Sequence, residues 1–254
     1  MISAMKKILI TGVSGLIGGL LARHLQQRGG YDITALNRSA VDGFRCVRAD
    51  IADLEAIKPA FQGQETVVHM SAFLGGREWE ENLSANIIGV YNVYEASRLA
   101  GVKRVVFASS GAAIGGFSLV PPYDAIATGR YEELPEAFVK ITHQQVRPLG
   151  LYGAAKVWGE ALGRHYSDTY GLSVLCVRIG SVLPDDRPDN PHRFSYYLSH
   201  RDSLQVLDRC IEAPDDLLYD IFMAASDNRW CYYDLEHTRE VLGYVAQDSA
   251  EAFR

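Results

Sequence analysis

Cysteine is scarce in this chain of 254 residues, and the few cysteines are dispersed. The four cysteines, Cys46, Cys176, Cys210 and Cys231, form no CxxC pair, which argues against a disulfide framework and against a cysteine-based zinc site. The seven histidines form no HExxH motif or other tight ligand spacing, so we predict no metal site. This cysteine usage fits a reducing compartment, and we expect a cytoplasmic protein.

Long apolar runs and excess positive charge are also missing. No apolar run reaches the ~18–20 residues of a membrane span. The formal net charge is -6, from 25 lysines and arginines against 31 acidic residues. Nucleic-acid backbones and anionic membranes require clustered positive charge, so the composition argues against both as partners. A small phosphorylated ligand stays compatible with it.

The stretch KKILITGVSGLIGGLLARHL, residues 6–25, allows two interpretations. A lysine pair before an apolar run is typical of a secretory signal, but no convincing cleavage site follows Arg23 and His24. The same letters also describe a buried strand that turns into a helix. Because the chain continues as a strand–helix–strand pattern, the second interpretation is favoured.

Apolar strands alternate with helices along the first 180 residues. Strands are predicted at 6–11, 31–36, 46–49, 65–70, 104–109 and 173–178, and helices at 16–28, 52–61, 82–100 and 151–170. Continuously apolar strands are buried on both faces, which is typical of parallel sheets covered by helices. We therefore predict an α/β fold with a doubly wound parallel sheet (Rossmann) over residues 1–180. Residues 181–254, with a helix near 200–212, a strand near 218–224 and a helix near 234–242, are predicted to form a small substrate-facing lobe that is not independent.

Three glycines follow the first strand at GxxGxxG spacing: Gly12, Gly15 and Gly18. Such a turn needs unusual backbone dihedral angles, close approach of the backbone to a diphosphate, and tight packing of the helix on the strand. Glycine meets all three requirements because it has no side chain. The following helix offers free N–H groups and the positive end of its dipole. A glycine-rich turn without a ligand is the alternative, but the strand–turn–helix context favours dinucleotide binding.

Tyr152 and Lys156 lie one helical turn apart in YGAAK, so their side chains share a helix face. Bringing a phenol pKa from about 10 to about 7 requires about 4 kcal/mol. One positive charge ~4 Å away supplies about that much at an effective dielectric constant of 20. Lys156 is thus expected to make Tyr152 a proton acceptor; a surface pair without function is the alternative.

Together, TGxxGxxG and YxxxK resemble the extended short-chain dehydrogenase/reductase superfamily, specifically the NAD-dependent epimerase/dehydratase family. The segments NIIGVYNVYEA (86–96), RVVFASS (104–110), LYGAAKVWGE (151–160) and VRIGS (177–181) resemble its uronate (hexuronate) dehydrogenase branch. The resemblance implies hydride transfer between a sugar or sugar-acid hydroxyl and a nicotinamide. It assigns catalysis to Tyr152 and Lys156 with Ser110, and Ser109 is the fallback. A homodimer through helices 82–100 and 151–170 is a further implication.

The resemblance also implies the residues around the dinucleotide. Asn37 stands where NAD enzymes usually carry an acid for the ribose, and Arg38 follows it. A guanidinium can bind a 2′-phosphate, so NADP is favoured over NAD; stacking of Arg38 on adenine is the alternative. Asp50 is matched to the adenine contact or is a helix cap. The other implied cofactor contacts are Ser14, Leu16, Ile17, Ile51, Met70, Ser71, Ala72, Asn86, Ala108 and Ile179.

For the substrate, the resemblance implies contacts from Leu74, Ser110, Gly111 and Arg178, where Arg178 would bind substrate oxygens or a carboxylate. A structural salt bridge is the alternative for Arg178. Leu74 and Gly111 replace polar residues of the uronate branch, which suggests a less polar or differently shaped substrate. Tyr196, Tyr197, His200 and Arg201 are further candidates to face it.

The segment at 117–149 is longer than the corresponding segment of that branch. It contains Pro121-Pro122, a predicted helix near 134–141 and His143. A lid, an oligomer contact and a solvated excursion are all compatible with its composition.

Two other functions stay open at this stage. One is a sugar epimerase that retains its cofactor. The other is a non-catalytic NADP-sensing binding protein, although such proteins typically lose the Tyr or the Lys. Dehydration is disfavoured because Gly111-Ala112 lacks the acid that dehydratases carry there.

Overall fold

The computed structural model describes residues 5–75 and 77–254 and contains one seven-stranded parallel sheet. The strands are β1 (Lys6–Thr11), β2 (Tyr31–Asn37), β3 (Arg45–Arg48), β4 (Thr66–His69), β5 (Arg104–Ser110), β6 (Ser173–Ile179) and β7 (Tyr219–Ala224). Their order across the sheet is β3-β2-β1-β4-β5-β6-β7. The predicted doubly wound α/β class is confirmed.

Helices cover both faces of this sheet. They are α1 (Leu16–Arg28), α2 (Leu54–Phe61), α3 (Trp79–Glu81), α4 (Gly89–Ala100), α5 (Tyr123–Thr128), α6 (Gly150–Tyr170), α7 (Pro191–Tyr196), α8 (His200–Ile211) and α9 (Glu236–Leu242). One apolar cluster joins the sheet to α1 and α8, and a second joins it to α2, α4 and α6. Burial on both faces accounts for the continuously apolar strands.

The alternation of side chains along β1 shows how one strand contributes to both layers. Ile8 and Ile10 belong to the cluster under α1, whereas Leu9 belongs to the cluster under α2 and α4. All three are fully buried. Successive strand side chains point to opposite faces, so a polar residue at any of these positions would enter one of the two cores.

The strand order reverses between β1 and β4. The chain runs from β1 outward to β3, then returns to β4 and proceeds outward to β7 on the other side. Parallel strands end at the same edge, so the turns after β1 and β4 diverge there and leave a crevice. This crevice contains the site described below.

The C-terminal region is more closely tied to the core than expected. The predicted helix near 200–212 and strand near 218–224 are present, but β7 pairs with β6 in the main sheet and α8 packs on α1. A boundary at residue 180 therefore cuts through the sheet. The lobe was predicted not to be independent, and the pairing of β7 with β6 shows how residues 181–254 join the rest of the chain.

The 117–149 segment packs against the chain after β7. Tyr123, Ile126 and Ile141 form an apolar cluster with Tyr232 and Tyr233. The predicted helix near 134–141 is wrong, because this stretch is irregular and ends in a bridge between Ile141 and Tyr233. The buried aromatic side chains show that the segment is not a solvated excursion.

Candidate active site

A cleft of about 1150 Å³ opens at the switch point between β1 and β4. It is larger than a typical site for one small ligand, so it has room for a dinucleotide and a second molecule. Its walls include the glycine turn, the ends of β2, β4 and β5, the start of α6, and residues from the ranges 49–51, 80–85 and 179–196.

The glycine turn leaves no room for side chains beside the cleft. Gly12 has φ 74°, and a Cβ there would lie 2.9 Å from the Ser71 amide nitrogen. A Cβ on Gly18 would lie 2.4 Å from the Gly12 carbonyl oxygen. Gly15 is the N-cap residue of α1 and has no side chain that could cap the helix. The first amides of α1 therefore have no side-chain partner there. Free amides, a positive dipole end and a bare backbone fit a diphosphate.

The Thr11 hydroxyl, which the sequence analysis did not identify, connects the turn after β1 to the loop after β4. Thr11 Oγ1 accepts hydrogen bonds from the amides of Met70 and Ser71 at 3.1 and 3.0 Å. Because the hydroxyl oxygen already accepts from these two amides, its proton is left to donate to His69 Nδ1, 2.8 Å away. Burial lowers the pKa of His69 to about 3, so this imidazole is neutral. Thr11 thus fixes the loop after β4 against the glycine turn. The TG dipeptide was its only signal in the sequence.

The adenosine end of the cleft carries Asn37, Arg38 and Asp50 on its wall. The Asn37 amide group donates to Ser14 Oγ at 3.1 Å and to Ser39 Oγ at 3.2 Å. Asp50 accepts from the Ala52 amide at 3.0 Å, so it caps the turn before α2 and also faces the cleft. No side chain of the described residues bonds the exposed Arg38 guanidinium.

Asn86 does not line the cleft, contrary to its predicted cofactor contact. It lies in a π-helical stretch, Asn82–Ile88, that precedes α4. Its side chain is buried, accepts from the Phe73 amide at 2.9 Å and donates to the Phe73 carbonyl at 2.8 Å. Asn86 therefore holds the loop that carries Phe73 and the exposed Leu74, both of which face the cleft.

Tyr152, Lys156 and Ser110 all line the cleft. Lys156 Nζ donates to the Ala108 carbonyl at 2.7 Å and lies 5.3 Å from the centroid of the Tyr152 ring. Ser110 Oγ accepts from the Ala112 amide at 3.1 Å. The predicted trio is thus brought together at one end of the cleft, as the order of the elements requires.

The expected depression of the phenol pKa is absent. Burial raises the pKa of Tyr152 to about 12, and a hydrogen bond from Ser110 offsets only part of this effect. Lys156 does not reverse it, because its ammonium is turned to the Ala108 carbonyl and burial lowers the pKa of Lys156 itself to about 8. The phenol is therefore protonated at neutral pH in this arrangement.

Arg178 is not at the substrate position predicted for it. Its guanidinium is fully buried and makes two 2.8 Å hydrogen bonds to the carboxylate of Glu160. A third bond reaches the Gln145 carbonyl at 2.8 Å. Ser109 donates to the same carboxylate at 2.5 Å, so Ser109 is not available as the catalytic hydroxyl. The structural salt bridge is the correct interpretation of Arg178.

Gly111 is also outside the cleft lining. A Cβ there would meet the Tyr233 hydroxyl, so its glycine is required by packing against the region after β7. Tyr197, His200 and Arg201 bond other protein groups, namely Asp186, the Leu183 carbonyl and Asp248.

Tyr196 is the one of that group that reaches the wall, and Arg193 on the same short helix joins it. Arg193 was missed because nothing in PHRFSYY distinguishes it from a surface arginine.

Most of the predicted contacts do share this one cleft. Besides the residues already discussed, its walls include Gly12, Ser14, Gly15, Leu16, Ile17, Gly18, Ile51, Met70, Ser71, Ala72, Ala108 and Ile179. The neighbouring Glu80, Glu81, Ser181 and Leu183 were not predicted.

A glycine turn at the switch point and a Tyr–Lys pair at the far end of the same cleft define the class: a dinucleotide-binding α/β protein of the short-chain dehydrogenase/reductase type. Residues 8–201 match the model of the NAD dependent epimerase/dehydratase family. The chain belongs to this family.

Relatives cover nearly the whole chain. It is 33% identical to uronate dehydrogenase of Pseudomonas putida over 98% of its length and 86% of the relative's. It is also 33% identical to L-arabinose 1-dehydrogenase (NAD(P)(+)) of Haloferax volcanii, over 97% of its length and 98% of the relative's. A mutant uronate dehydrogenase from Agrobacterium tumefaciens, complexed with NAD, superposes with a TM-score of 0.80 at 30% identity, covering 99% of this chain and 88% of that one.

None of the helices in the part of the chain that the structure describes has the length and apolar character that a membrane crossing requires.

The buried ion pair yields a stability prediction. Replacing Arg178 by methionine leaves the Glu160 carboxylate buried without its partner. We expect the free energy of unfolding, measured by urea denaturation at pH 7, to fall by about 3–5 kcal/mol.

The matched control is the double variant Arg178→Met/Glu160→Met, in which no buried charge is left unpaired. It is expected to recover at least half of the loss. A double variant no more stable than the single one would show that the charge pair is not what holds this region.

Proposed function

We propose that this protein is a nicotinamide-dependent oxidoreductase that transfers a hydride between a sugar or sugar-acid hydroxyl and its cofactor. The observation that carries the proposal is the placement of Tyr152, Lys156 and Ser110 in the cleft that begins at the glycine turn. Relatives named uronate dehydrogenase and L-arabinose 1-dehydrogenase support the substrate class.

The roles follow from the positions of the side chains. In the reducing direction, the protonated phenol of Tyr152 donates its proton to the carbonyl oxygen that becomes the hydroxyl. In the oxidising direction the phenolate takes that proton back. The Ser110 hydroxyl stabilises the phenolate by a hydrogen bond and is placed to hold the reacting oxygen. When bound, the nicotinamide supplies the hydride acceptor or donor and, when oxidised, a positive charge.

Lys156 contributes charge and position. Its ammonium is buried and fixed on the Ala108 carbonyl at the end of β5. Glu160, one turn further along α6, opposes the lowering of the Lys156 pKa by burial. With a pKa of about 8, the lysine is mostly charged at pH 7, beside the phenol whose charged form it favours.

For the cofactor, we propose a preference for NADP over NAD. At the end of β2 an amide, Asn37, replaces the acid that would repel a 2′-phosphate, and its side chain is engaged with Ser14 and Ser39. Arg38 is exposed on the cleft wall and free of side-chain partners within the described ranges. A guanidinium in this state is suited to a phosphate.

For the substrate, we propose that Arg193 takes the anion-binding role that Arg178 does not fill. Arg193 and Tyr196 lie on the wall beyond Ile179, and the Arg193 side chain is 40% exposed. Its ion pair with Asp189 is exposed as well, so exchange for a substrate carboxylate costs little.

We propose further that two chains associate as a dimer through α4 and α6. Large apolar side chains are exposed on or beside these helices: Ile88, Tyr91, Leu99, Leu151 and Trp158. Burial of such side chains favours association. Sedimentation velocity distinguishes a dimer of about 56 kDa, twice the chain mass of 28.1 kDa, from a monomer.

We also propose that the protein acts in the cytoplasm. The four cysteines are unpaired and three of them are buried. Free buried thiols are typical of reducing compartments.

The catalytic role of Tyr152 is tested by Tyr152→Phe, with Tyr196→Phe as a control tyrosine on the same cleft. We expect kcat for oxidation of a uronate or aldose to fall by about 10²–10⁴-fold in Tyr152→Phe, because proton transfer is lost. Affinity for the cofactor should change little. Absorbance of the reduced nicotinamide measures the rate, and fluorescence titration measures the affinity.

A Tyr152→Phe protein that is as active as the Tyr196→Phe control contradicts the proposal. Tight binding of the cofactor to the wild type with no turnover favours the non-catalytic NADP-sensing protein instead.

The cofactor preference is tested with Arg38→Ala, and Arg48→Ala serves as a control on the neighbouring strand β3. The dissociation constant for NADP⁺ is expected to rise about tenfold or more in Arg38→Ala, as a charge-assisted hydrogen bond of about 1.5–3 kcal/mol is lost. The constant for NAD⁺ should stay within about threefold. An equal loss for both cofactors would remove the argument for NADP.

Arg193→Ala tests the anion-binding role, and Arg187→Ala is its control just outside the cleft. We expect KM for a uronate to rise about tenfold in Arg193→Ala while KM for a neutral aldose is unchanged, since only the uronate carries a carboxylate. Equal KM changes for both substrates would show that Arg193 does not read the charge.

A further inference from the structure

Three metal-ligating side chains from distant parts of the sequence meet outside the cleft. His143 belongs to the 117–149 segment, Asp220 lies on β7, and His237 lies on α9. One ligand atom from each residue lies within 4.8 Å of the other two. All three are half-buried, so an ion can reach them.

Backbone pairing brings these elements together. The Ile141 amide donates to the Tyr232 carbonyl at 2.7 Å, and the Asp234 amide donates to the Ile141 carbonyl at 2.9 Å. This bridge places His143, two residues after it, over the start of α9. Two residues further on, the Gln145 carbonyl accepts from the buried Arg178. The loop that carries His143 is therefore anchored on both sides.

His237 contacts both of the other side chains directly. His237 Nε2 lies 2.9 Å from Asp220 Oδ1. The rings of His143 and His237 stack with centroids 3.8 Å apart and an angle of 21° between their planes. The His143 ring nitrogens have no hydrogen-bond partner among residues 5–75 and 77–254. Its donor atoms are available to a ligand of another kind.

The geometry points to a binding site for a divalent transition metal, of which Zn²⁺ is the best fit, at His143, Asp220 and His237. Two imidazole nitrogens and one carboxylate oxygen are a common donor set for Zn²⁺, whereas Mg²⁺ and Ca²⁺ prefer oxygen ligands. A fourth position is left to water. Bonds of about 2.0–2.2 Å require the ligand atoms to move closer and the stacked rings of His143 and His237 to turn until a nitrogen of each ring points at the same ion, which half-buried side chains allow.

The charges around the site suit a cation. Asp220 supplies a carboxylate, and Asp234 adds a second negative charge near His143. Arg178, a positive charge that acts on His143, is compensated by its ion pair with Glu160.

An ion here joins the 117–149 segment to the end of the sheet. From His143 the chain runs to Arg147 and Leu149, whose amides donate to the carbonyls of Ala113 and Ala112, and then into α6. Because none of the three ligands lines the catalytic cleft, the metal is expected to stabilise the fold and not to supply chemistry.

The test is a titration of the full chain, after removal of metals with a chelator, by isothermal calorimetry with Zn²⁺. The wild type is expected to bind one Zn²⁺ per chain, and Co²⁺ in its place should give the visible absorption of a nitrogen–oxygen site. Affinity should fall at least 100-fold in His143→Ala and in His237→Ala. It should be unchanged in His165→Ala, which removes an exposed histidine on α6. Zn²⁺ should raise Tm in the wild type and in His165→Ala, but not in His143→Ala or His237→Ala.

His143→Gln provides a variant of similar volume if His143→Ala does not fold, which far-UV circular dichroism and NADP⁺ binding reveal. The inference is overturned if the wild type binds no Zn²⁺. It is also overturned if the folded His143 variants bind Zn²⁺ as tightly as the wild type, because the strong site would then lie elsewhere.

Discussion

The ion pair between Arg178 and Glu160 determines how the catalytic helix lies on the sheet. Arg178 is on β6 and Glu160 is on α6, and both side chains are almost fully excluded from water. Moving the guanidinium away from the carboxylate would leave two unpaired charges in the protein interior. Because this costs several kcal/mol of folding free energy, the two side chains keep their relative position. Ser109, at the end of β5, adds a third element to the same carboxylate. The position of α6 relative to β5 and β6 is thereby fixed.

That position places two different electrostatic environments in one cleft. At one end, bare backbone and the amides of α1 favour a negatively charged group. At the other end, partial burial raises the pKa of the Tyr152 phenol to about 12, and burial lowers the pKa of the neighbouring Lys156 to about 8. The sheet order forces both ends to the same edge, because β1 and β5 are parallel strands that terminate there. A ligand that is held at the first end has its other part oriented beside Tyr152 at the second end. This orientation lowers the entropy cost of the reaction.

The strands, most helices and the glycine turn were predictable because they depend on local patterns of apolar residues and glycine. Arg178 was misassigned because its partner, Glu160, is brought to it only by the packing of α6 on β6. Asn86 and Gly111 do not line the cleft, and the neighbours that hold them elsewhere, Phe73 and Tyr233, lie beside them only in the folded chain. Lys156 lies on the cleft wall beside Tyr152, as expected, but the sequence did not show how deeply this phenol is placed. Burial outweighs the lysine charge in the pKa of Tyr152.

The 117–149 segment shows the same limit on a larger scale. Its composition allowed a lid, a contact between chains or a solvated loop, and its packing on Tyr232 and Tyr233 was not encoded in any local pattern. The meeting of His143 with Asp220 and His237 depends on that packing. Ligands separated by 77 and 17 residues have no spacing that a motif could describe.

The central claim is that one dinucleotide spans the cleft from the glycine turn to Tyr152, and a crystal structure of the complex with NADP⁺ tests it most directly. The account predicts the diphosphate within hydrogen-bond distance of the Leu16 and Ile17 amides and the nicotinamide ring in contact with the Tyr152 side chain. A diphosphate bound away from α1, or a nicotinamide directed out of the cleft, would contradict it.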